Sequence, residues 1–431
     1  MRAAPSRKIF NIIVIAAALG YFVDIYDLIL FGIVKNPSLI DLGITDKDAL
    51  FSQGNFLLSM QMAGMLLGGI VWGILSDKKG RLSILFLTIL LHSLANIANG
   101  FAQNFTQYAW LRFIAGFGLS GELGVGITLV SEVMTKESRG MGASIVSGVG
   151  IAGSVLAFIV AEKFNWRVAY LTGGGLGLLL LLLRVAVYES GMYEKIKAVS
   201  VSKGNFFSLF TNIKRFKKFI FIILVAIPTW YTISVLAINS TSIAQDALKL
   251  SGTVKGSTSV MLHYIGAAFG SFLFGYLSLK MKSRKKPLVL TLICIAVLTI
   301  VYYSLFGASP TLFYIVLFLL GLPMGGLWTV FITTASEQFG TNIRATVTTS
   351  APNFVRGATI LITFLLGVLT PLVGLWYAGV IVGSIFFIIA SISLFFVEET
   401  YGKDLDYYED IQFNKNASNR KNTADKIRKT V

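Results

Sequence analysis

Hydrophobic residues in this chain come in long unbroken runs separated by short polar punctuation. Runs near 9–34, 54–76, 83–103, 107–134, 141–162 and 168–188 are each long enough to cross a hydrocarbon core as a helix. A second set near 218–239, 257–279, 287–307, 311–337, 345–370 and 372–397 repeats the count. Six runs, a long polar interval and six more predict an all-α membrane protein with twelve transmembrane helices in two six-helix bundles. The expected organisation is an N-terminal bundle over 1–189, a linker loop over 190–217, a C-terminal bundle over 218–400 and a disordered tail over 401–431. The linker is basic, and Phe206, Phe207, Leu209 and Phe210 give it an apolar side suited to a membrane surface. Arg2, Arg7 and Lys8 before the first run imitate a signal peptide, but that run continues to Val34 and reads as a span.

At 55% hydrophobic and 13% charged, the 431 residues are too apolar for an ordinary soluble domain. The net charge of +16 invites a nucleic-acid reading, which the placement of the charges excludes. Of 37 Lys and Arg, 28 fall in loops and termini on one side of the proposed membrane. Six fall on the other side (Lys35, Lys47, Lys163, Arg167, Lys249, Lys255) and three within spans (Arg112, Arg184, Arg356). Excess positive charge marks the cytoplasmic side, so both termini are expected there, in a protein of the cell (inner) membrane. Cys294 is the single cysteine and defines no disulfide framework.

Gly73-Ile-Leu-Ser-Asp77-Lys78-Lys79-Gly80-Arg81 is a charged turn wedged between two apolar runs. Its charges cannot lie in hydrocarbon, so it marks an aqueous face joining two spans. The chain then repeats itself. Glu132 precedes Arg139 by seven residues (139 − 132), Glu337 precedes Arg344 by seven (344 − 337), and the two pairs are 205 apart (337 − 132). The hairpin recurs in degenerate form as Gly275-Tyr-Leu-Ser-Leu279-Lys280-Met-Lys282-Ser-Arg284, at an offset of 202 (275 − 73). Parallel repeats of this kind are how many secondary transporters are built.

Ionisable residues at membrane depth need a partner or a wet cavity. Asp24 and Asp27 share one face of helix 1, roughly 5 and 9 Å outward of its middle near Tyr21. On helix 4, Arg112 lies roughly 12 Å outward of Ser120 while Glu122 is central, which puts Asp27 and Arg112 at similar depth. A salt bridge between them is the simplest arrangement, and Asp24, left over, points to proton chemistry. Arg356 lies roughly 18 Å into the membrane from Arg344 with no acid of the second half at that depth. It calls for an anion supplied from outside the bundle, or for backbone carbonyls freed by Pro352. Arg184 can snorkel to the surface. His92, on helix 3, reads as a packed histidine, and His263 on helix 8 as either cavity-facing or packed. Pro228 and Pro323 interrupt helices 7 and 10, where bends commonly gate transport. Trp230 and Tyr231 beside Pro228 are candidates to line a substrate site or to pack.

The spacing G-x-x-x-D-K-x-G-R of the first hairpin resembles the helix 2/3 loop of the major facilitator superfamily. Three features narrow the likeness: G-Y-F-V-D-I-Y-D-L in helix 1, R-F-I-A-G-F-G-L-S-G-E-L in helix 4, and the helix 11 arginine. Together they resemble the superfamily's proton symporters for organic anions, whose relatives carry metabolites, aromatic acids, sialate and phosphate. The sequence departs from that pattern at Gly-Leu-Ser120-Gly121-Glu122 and in the second hairpin. The resemblance implies proton coupling by Asp24, Asp27 and Glu122, and anion binding by Arg112 and Arg356, with His263, Trp230 and Tyr231 as further binding candidates. Glu398-Glu399-Thr400-Tyr-Gly402 after helix 12 looks like a motif whose acids, in those relatives, pair with loop arginines. By position it implies a structural network of Asp77, Arg81, Glu132, Arg139 and Glu189, with Arg284, Glu337, Arg344 and Glu399 opposite.

The expected function is import of a small carboxylate with protons by alternating access, without cofactor or metal, by a monomer in the bilayer. The proposed cycle is a competition: an incoming carboxylate takes Arg112, and the displaced Asp27 accepts a proton. A phosphate or sugar proton symporter is the nearest alternative. An exporting antiporter is disfavoured because Gly148-Val-Gly150-Ile-Ala-Gly153 lacks the G-x-x-x-G-P pattern. A non-transporting receptor would need a signalling domain, and an enzyme would need a nucleophile, base and metal constellation. Two distant histidines and one cysteine supply none.

Overall fold

A computed structural model describes residues 12–79, 81–134, 139–189, 206–340 and 343–403. The first half contains α1 (Ile12–Asp41), α2 (Lys47–Lys79), α3 (Arg81–Asn99) and α6 (Trp166–Glu189) as single helices. Between them lie a broken α4 (Phe105–Leu119 and Glu122–Val133) and a broken α5 (Arg139–Ile151 and Gly153–Lys163). After a short turn of helix at Ser208–Thr211 comes α7 (Ile213–Tyr231), which unwinds into π-helix over Thr232–Ala237, just beyond Pro228. Next are α8 (Gly256–Lys280), α9 (Lys285–Tyr303) and α10 (Pro310–Glu337). The helical stretch Arg344–Phe396 would be roughly 80 Å long if straight. It reverses at Gly374 (φ 81°), three residues after Pro371, giving α11 over 344–373 and α12 over 375–396. The reversal shows in its contacts. On α11, Thr346 lies against Gly73 and Thr363 against Ser59, while α12 starts near Tyr303, at the end of α9, and ends beside Lys285, at its start.

Twelve passes result, and nine described helical stretches are long and apolar enough to cross a membrane, the last of them holding both α11 and α12. The repeat is visible in the packing. Gly64 on α2 lies against the Phe113 carbonyl of α4, and Gly116 on α4 against the Gln61 carbonyl of α2. Gly266 and Gly270 on α8 meet the Phe318 and Leu322 carbonyls of α10 in the same way, and Gly321 meets the His263 carbonyl. Gly266 follows Gly64 by 202 (266 − 64) and Gly321 follows Gly116 by 205 (321 − 116), the offsets read from the hairpins and the Glu/Arg pairs. Each glycine lets two backbones approach where any Cβ would collide, the usual device of helix packing in lipid.

The halves meet through α2 with α11, α5 with α8, α4 with α11, and α1 with α7 and α10. At the Asp77 hairpin end, Gly73 packs on Thr346, Gly124 on Thr349 and Gly275 on Ser144. At the far end, Gly32 packs on Ile238, Lys35 donates to Asn239 at 2.9 Å, and Ser257 donates to Glu162 at 2.7 Å. The described halves thus touch toward both ends. Lys35, expected in an outer loop, is instead 6% exposed and stretched over Gly54, because Asn239 gives its ammonium a buried acceptor.

Candidate functional site

Two clusters of buried polar side chains lie between these two sets of contacts. In the first half, Arg112 on α4 is fully buried, its guanidinium carbon 5.4 Å from the Phe31 ring centre and 5.2 Å from that of Tyr170. Among the described residues none of its guanidinium nitrogens has a hydrogen-bond partner. Tyr170 in turn exchanges a 2.7 Å hydrogen bond with Tyr108, whose hydroxyl also donates to Ser38 at 3.3 Å. These rings give the cation π-faces but no acceptor for its N–H groups, so it remains short of a counter-anion.

The expected salt bridge from Asp27 to Arg112 is not formed. Asp27 is 1% exposed and close enough to feel the arginine's charge, but it is turned toward α3 and α6. Its Oδ2 lies 3.4 Å from Nε2 of His92, and its Oδ1 rests against Gly173. That orientation is open because α6 carries glycine at 173 and 177, where a side chain would collide with Asp27 and with Ser93 beside His92. His92, read from the sequence as a packing residue, is therefore a neighbour of the buried acid. Its i+4 relation to Asn96, which also lies alongside Asp27, was the available signal.

The second cluster bridges the halves. Trp328 on α10 donates its indole N–H to the Tyr21 hydroxyl of α1 at 2.9 Å. Arg356 on α11 sits with its guanidinium carbon 5.3 Å from the Trp328 ring centre and donates to Oδ1 of Asn353 at 3.0 Å. Asn353 donates to the Thr349 carbonyl at 2.7 Å and to the Ser120 carbonyl at 2.8 Å, which lies at the break in α4 just before Glu122. Arg356 is 2% exposed, and its Nε has no partner among the described residues. The carbonyls near Pro352 are not what holds it; a carboxamide is. Asp24, 3% exposed, acts electrostatically on Tyr21 together with Arg356, so the nearby acid comes from the other half of the molecule. Tyr264 on α8 feels both Tyr21 and Arg356. Glu122, 2% exposed, opens the second segment of α4.

The remaining candidates divide. Tyr231 points to other partners: its hydroxyl donates to the Gly379 carbonyl of α12 at 2.8 Å and lies 3.1 Å from the Tyr303 hydroxyl of α9, which ties α7 to both helices. His263 is fully buried with Nδ1 3.0 Å from the Leu317 carbonyl, tying α8 to α10. Trp230 is 2% exposed, and its indole N–H lacks a partner among the described residues.

At the hairpin end, Arg284 grips Glu337 in a two-pronged salt bridge (Nη2 to Oε1 2.8 Å, Nε to Oε2 3.0 Å), and Thr400 donates to the same carboxylate at 2.8 Å. Glu399 accepts from Ser283 and, at 2.8 Å, from the backbone N–H of Arg284. Partial burial alone would raise the Glu399 pKa, but these donors outweigh it and hold the carboxyl below its ordinary range. Arg344 is 1% exposed. The side chains of Asp77, Arg81, Glu132, Arg139 and Glu189 lie outside the described ones, so half of the expected network cannot be placed.

Comparisons with known proteins agree with this architecture. Residues 17–354 match the profile of the Major Facilitator Superfamily. The chain is 27% identical over 337 residues to a probable 4-methylmuconolactone transporter of Cupriavidus pinatubonensis, covering 76% of each chain. It is 26% identical over 416 residues to the cis,cis-muconate transport protein of Acinetobacter baylyi, covering 92% of this chain and 97% of the other. Among solved structures it resembles a proton:xylose symporter bound to 6-bromo-6-deoxy-D-glucose, at a TM-score of 0.70 and 17% identity over 91% of this chain and 97% of that one.

Proposed function

The chain belongs to the major facilitator superfamily of transporters, and from that premise we propose that it imports a small organic carboxylate together with protons by alternating access. The observation that carries this reading is Arg112: a buried cation without a hydrogen-bond partner among the described residues. A cation so placed costs several kcal/mol unless an anion joins it, which favours an anionic substrate over a neutral sugar. Relatives named for cis,cis-muconate and 4-methylmuconolactone support the same substrate class. On this reading each half moves as a bundle, over 1–189 and 218–400, in a cell membrane with both termini cytoplasmic. Arg112 holds the carboxylate, while Asp24, Asp27 and Glu122 couple the proton. Arg356 and Trp328, at the junction of the halves, close around the rest of the substrate. Asp77 and Arg81, at the hairpin, serve the switch between states, so Asp77→Asn should slow transport and leave affinity largely intact.

The test is uptake into proteoliposomes under an imposed proton gradient, with benzoate, nicotinate, cis,cis-muconate, phosphate, xylose and proline as the panel. Accumulation of carboxylates that collapses with the gradient is expected. Saturable uptake of xylose or proline alone would contradict the reading.

A further inference from the structure

Asp27 and His92 form a contact that the competition between substrate and aspartate does not use. Both are 1% exposed, with Oδ2 and Nε2 3.4 Å apart. Nδ1 of the same imidazole lies 3.2 Å from the Thr88 carbonyl. A carbonyl can only accept, so Nδ1 carries a proton, and in the neutral ring Nε2 is a bare acceptor. A carboxylate oxygen is also an acceptor. Two buried acceptors this close attract each other only with a proton between them.

The surroundings decide how many charges the pair must balance. From α4, Gly118 packs on the His92 backbone, and Arg112 is the charged group of that helix near Asp27. From α6, Gly177 faces His92 and Gly173 faces Asp27, while the phenols of Tyr170 on α6 and Tyr26 on α1 lie within electrostatic reach of Asp27. On α3 itself the neighbours are Thr88, Ser93 and Asn96, all neutral. Arg112 is therefore the permanent charge that acts on Asp27.

We propose that His92 is the second half of the proton seat: the transported proton is held jointly by Asp27 and His92. Two forms share it, a carboxylic acid donating to neutral imidazole and an imidazolium donating to carboxylate. One proton crossing the O to N contact converts them, and the pair stays neutral in both. Loaded this way, the pair leaves Arg112 free for a substrate anion. When the proton departs, the pair becomes an anion beside Arg112, competes for the guanidinium and expels the substrate. This rests on the proton-coupled reading above.

The chain holds only two histidines, which makes the pair directly observable. Protein labelled with 15N-histidine is reconstituted in bilayers, and solid-state NMR spectra are recorded across pH, with His92→Gln used to assign the signals. His92 is expected to show a protonated Nδ1 and an Nε2 in a strong hydrogen bond or protonated, a signature that Asp27→Asn abolishes. A ring protonated on Nε2 with a bare Nδ1, or a spectrum indifferent to Asp27→Asn, would overturn the proposal. In proteoliposomes with benzoate as the probe, His92→Gln should need roughly tenfold more protons for half-maximal uptake, with benzoate counterflow at acid pH retained. Equal loss at every pH, counterflow included, would mean a structural role and count against it. Absence of benzoate uptake by the unaltered protein would count against the transport reading, while the NMR outcome alone decides the pair.

Discussion

Arg284 and Arg112 are both buried arginines, 1% and 0% exposed, yet they live in opposite circumstances. Arg284, at the hairpin end, has Glu337 on two nitrogens, the Ser278 hydroxyl at 2.8 Å and the Tyr401 ring at 5.1 Å. Arg112, deep in the first half, has two aromatic faces and no acceptor among the described residues. The chain meets the cost of one cation internally, and on the proposed reading the other is met by an arriving anion. Burial alone therefore does not separate the two arginines; the satisfaction of their donors does.

Replacing each by methionine should separate them most sharply. Arg284→Met strands Glu337 without its countercharge and should destabilise the protein by about 3–5 kcal/mol. Arg112→Met removes an unpaired cation and should leave thermal stability equal or higher, while cutting carboxylate uptake roughly 100-fold, about what loss of a charged contact of 2–3 kcal/mol produces. Equal destabilisation by both would erase the contrast.

Arg356 is the intermediate case, bonded to Asn353, in reach of the Tyr21 hydroxyl and with a π-face from Trp328. Arg356→Lys keeps the charge but loses the planar fork, and uptake should fall roughly tenfold. Asn353→Ala frees Arg356 and also severs the tie to the break in α4, so it should reduce uptake comparably. If the lysine variant transports normally, Arg356 belongs with Arg284 as a structural residue.

Much of this was legible in the sequence, and the failures share one cause. Spans, the hairpins and the repeat offsets follow from runs of apolar residues and from spacing along one chain. Depth along a helix can also be counted, which is why Asp27 and Arg112 were paired. Azimuth cannot be counted. Asp27 turns to His92 because Gly173 and Gly177 of a distant helix leave room there, and Tyr231 turns to α12 because Gly379 and Tyr303 offer partners. Trp328 and Asn353 carry no sequence signal of their contacts for the same reason: nothing in one helix reveals what the opposite half presents to it. Lys35, assigned to solvent by its position in the chain, found Asn239 across the interface.

That last contact gives a smaller prediction. Lys35→Met removes a link between α1 and α7 at the far end, so opening there should become easier, visible as faster labelling of an introduced cysteine at Asn55 by a membrane-impermeant reagent. Unchanged labelling would show that this end is held elsewhere. The smallest effect is expected at Glu399. Its carboxyl is held below the ordinary range, so the stability it adds is present above the unfolded value of about 4.3 and lost as pH falls through the folded one. The difference in melting temperature between the unaltered protein and Glu399→Gln should be flat from about pH 8 to about pH 5 and shrink in more acid solution. A difference that grows on acidification would reverse the sign of that contact.

Whether Arg112 awaits an anion is decided by isothermal titration of a ring carboxylate such as benzoate into purified protein. Saturable binding is expected, abolished in Arg112→Met while that variant still melts at or above the temperature of the unaltered protein. Undiminished binding by a folded Arg112→Met would contradict it.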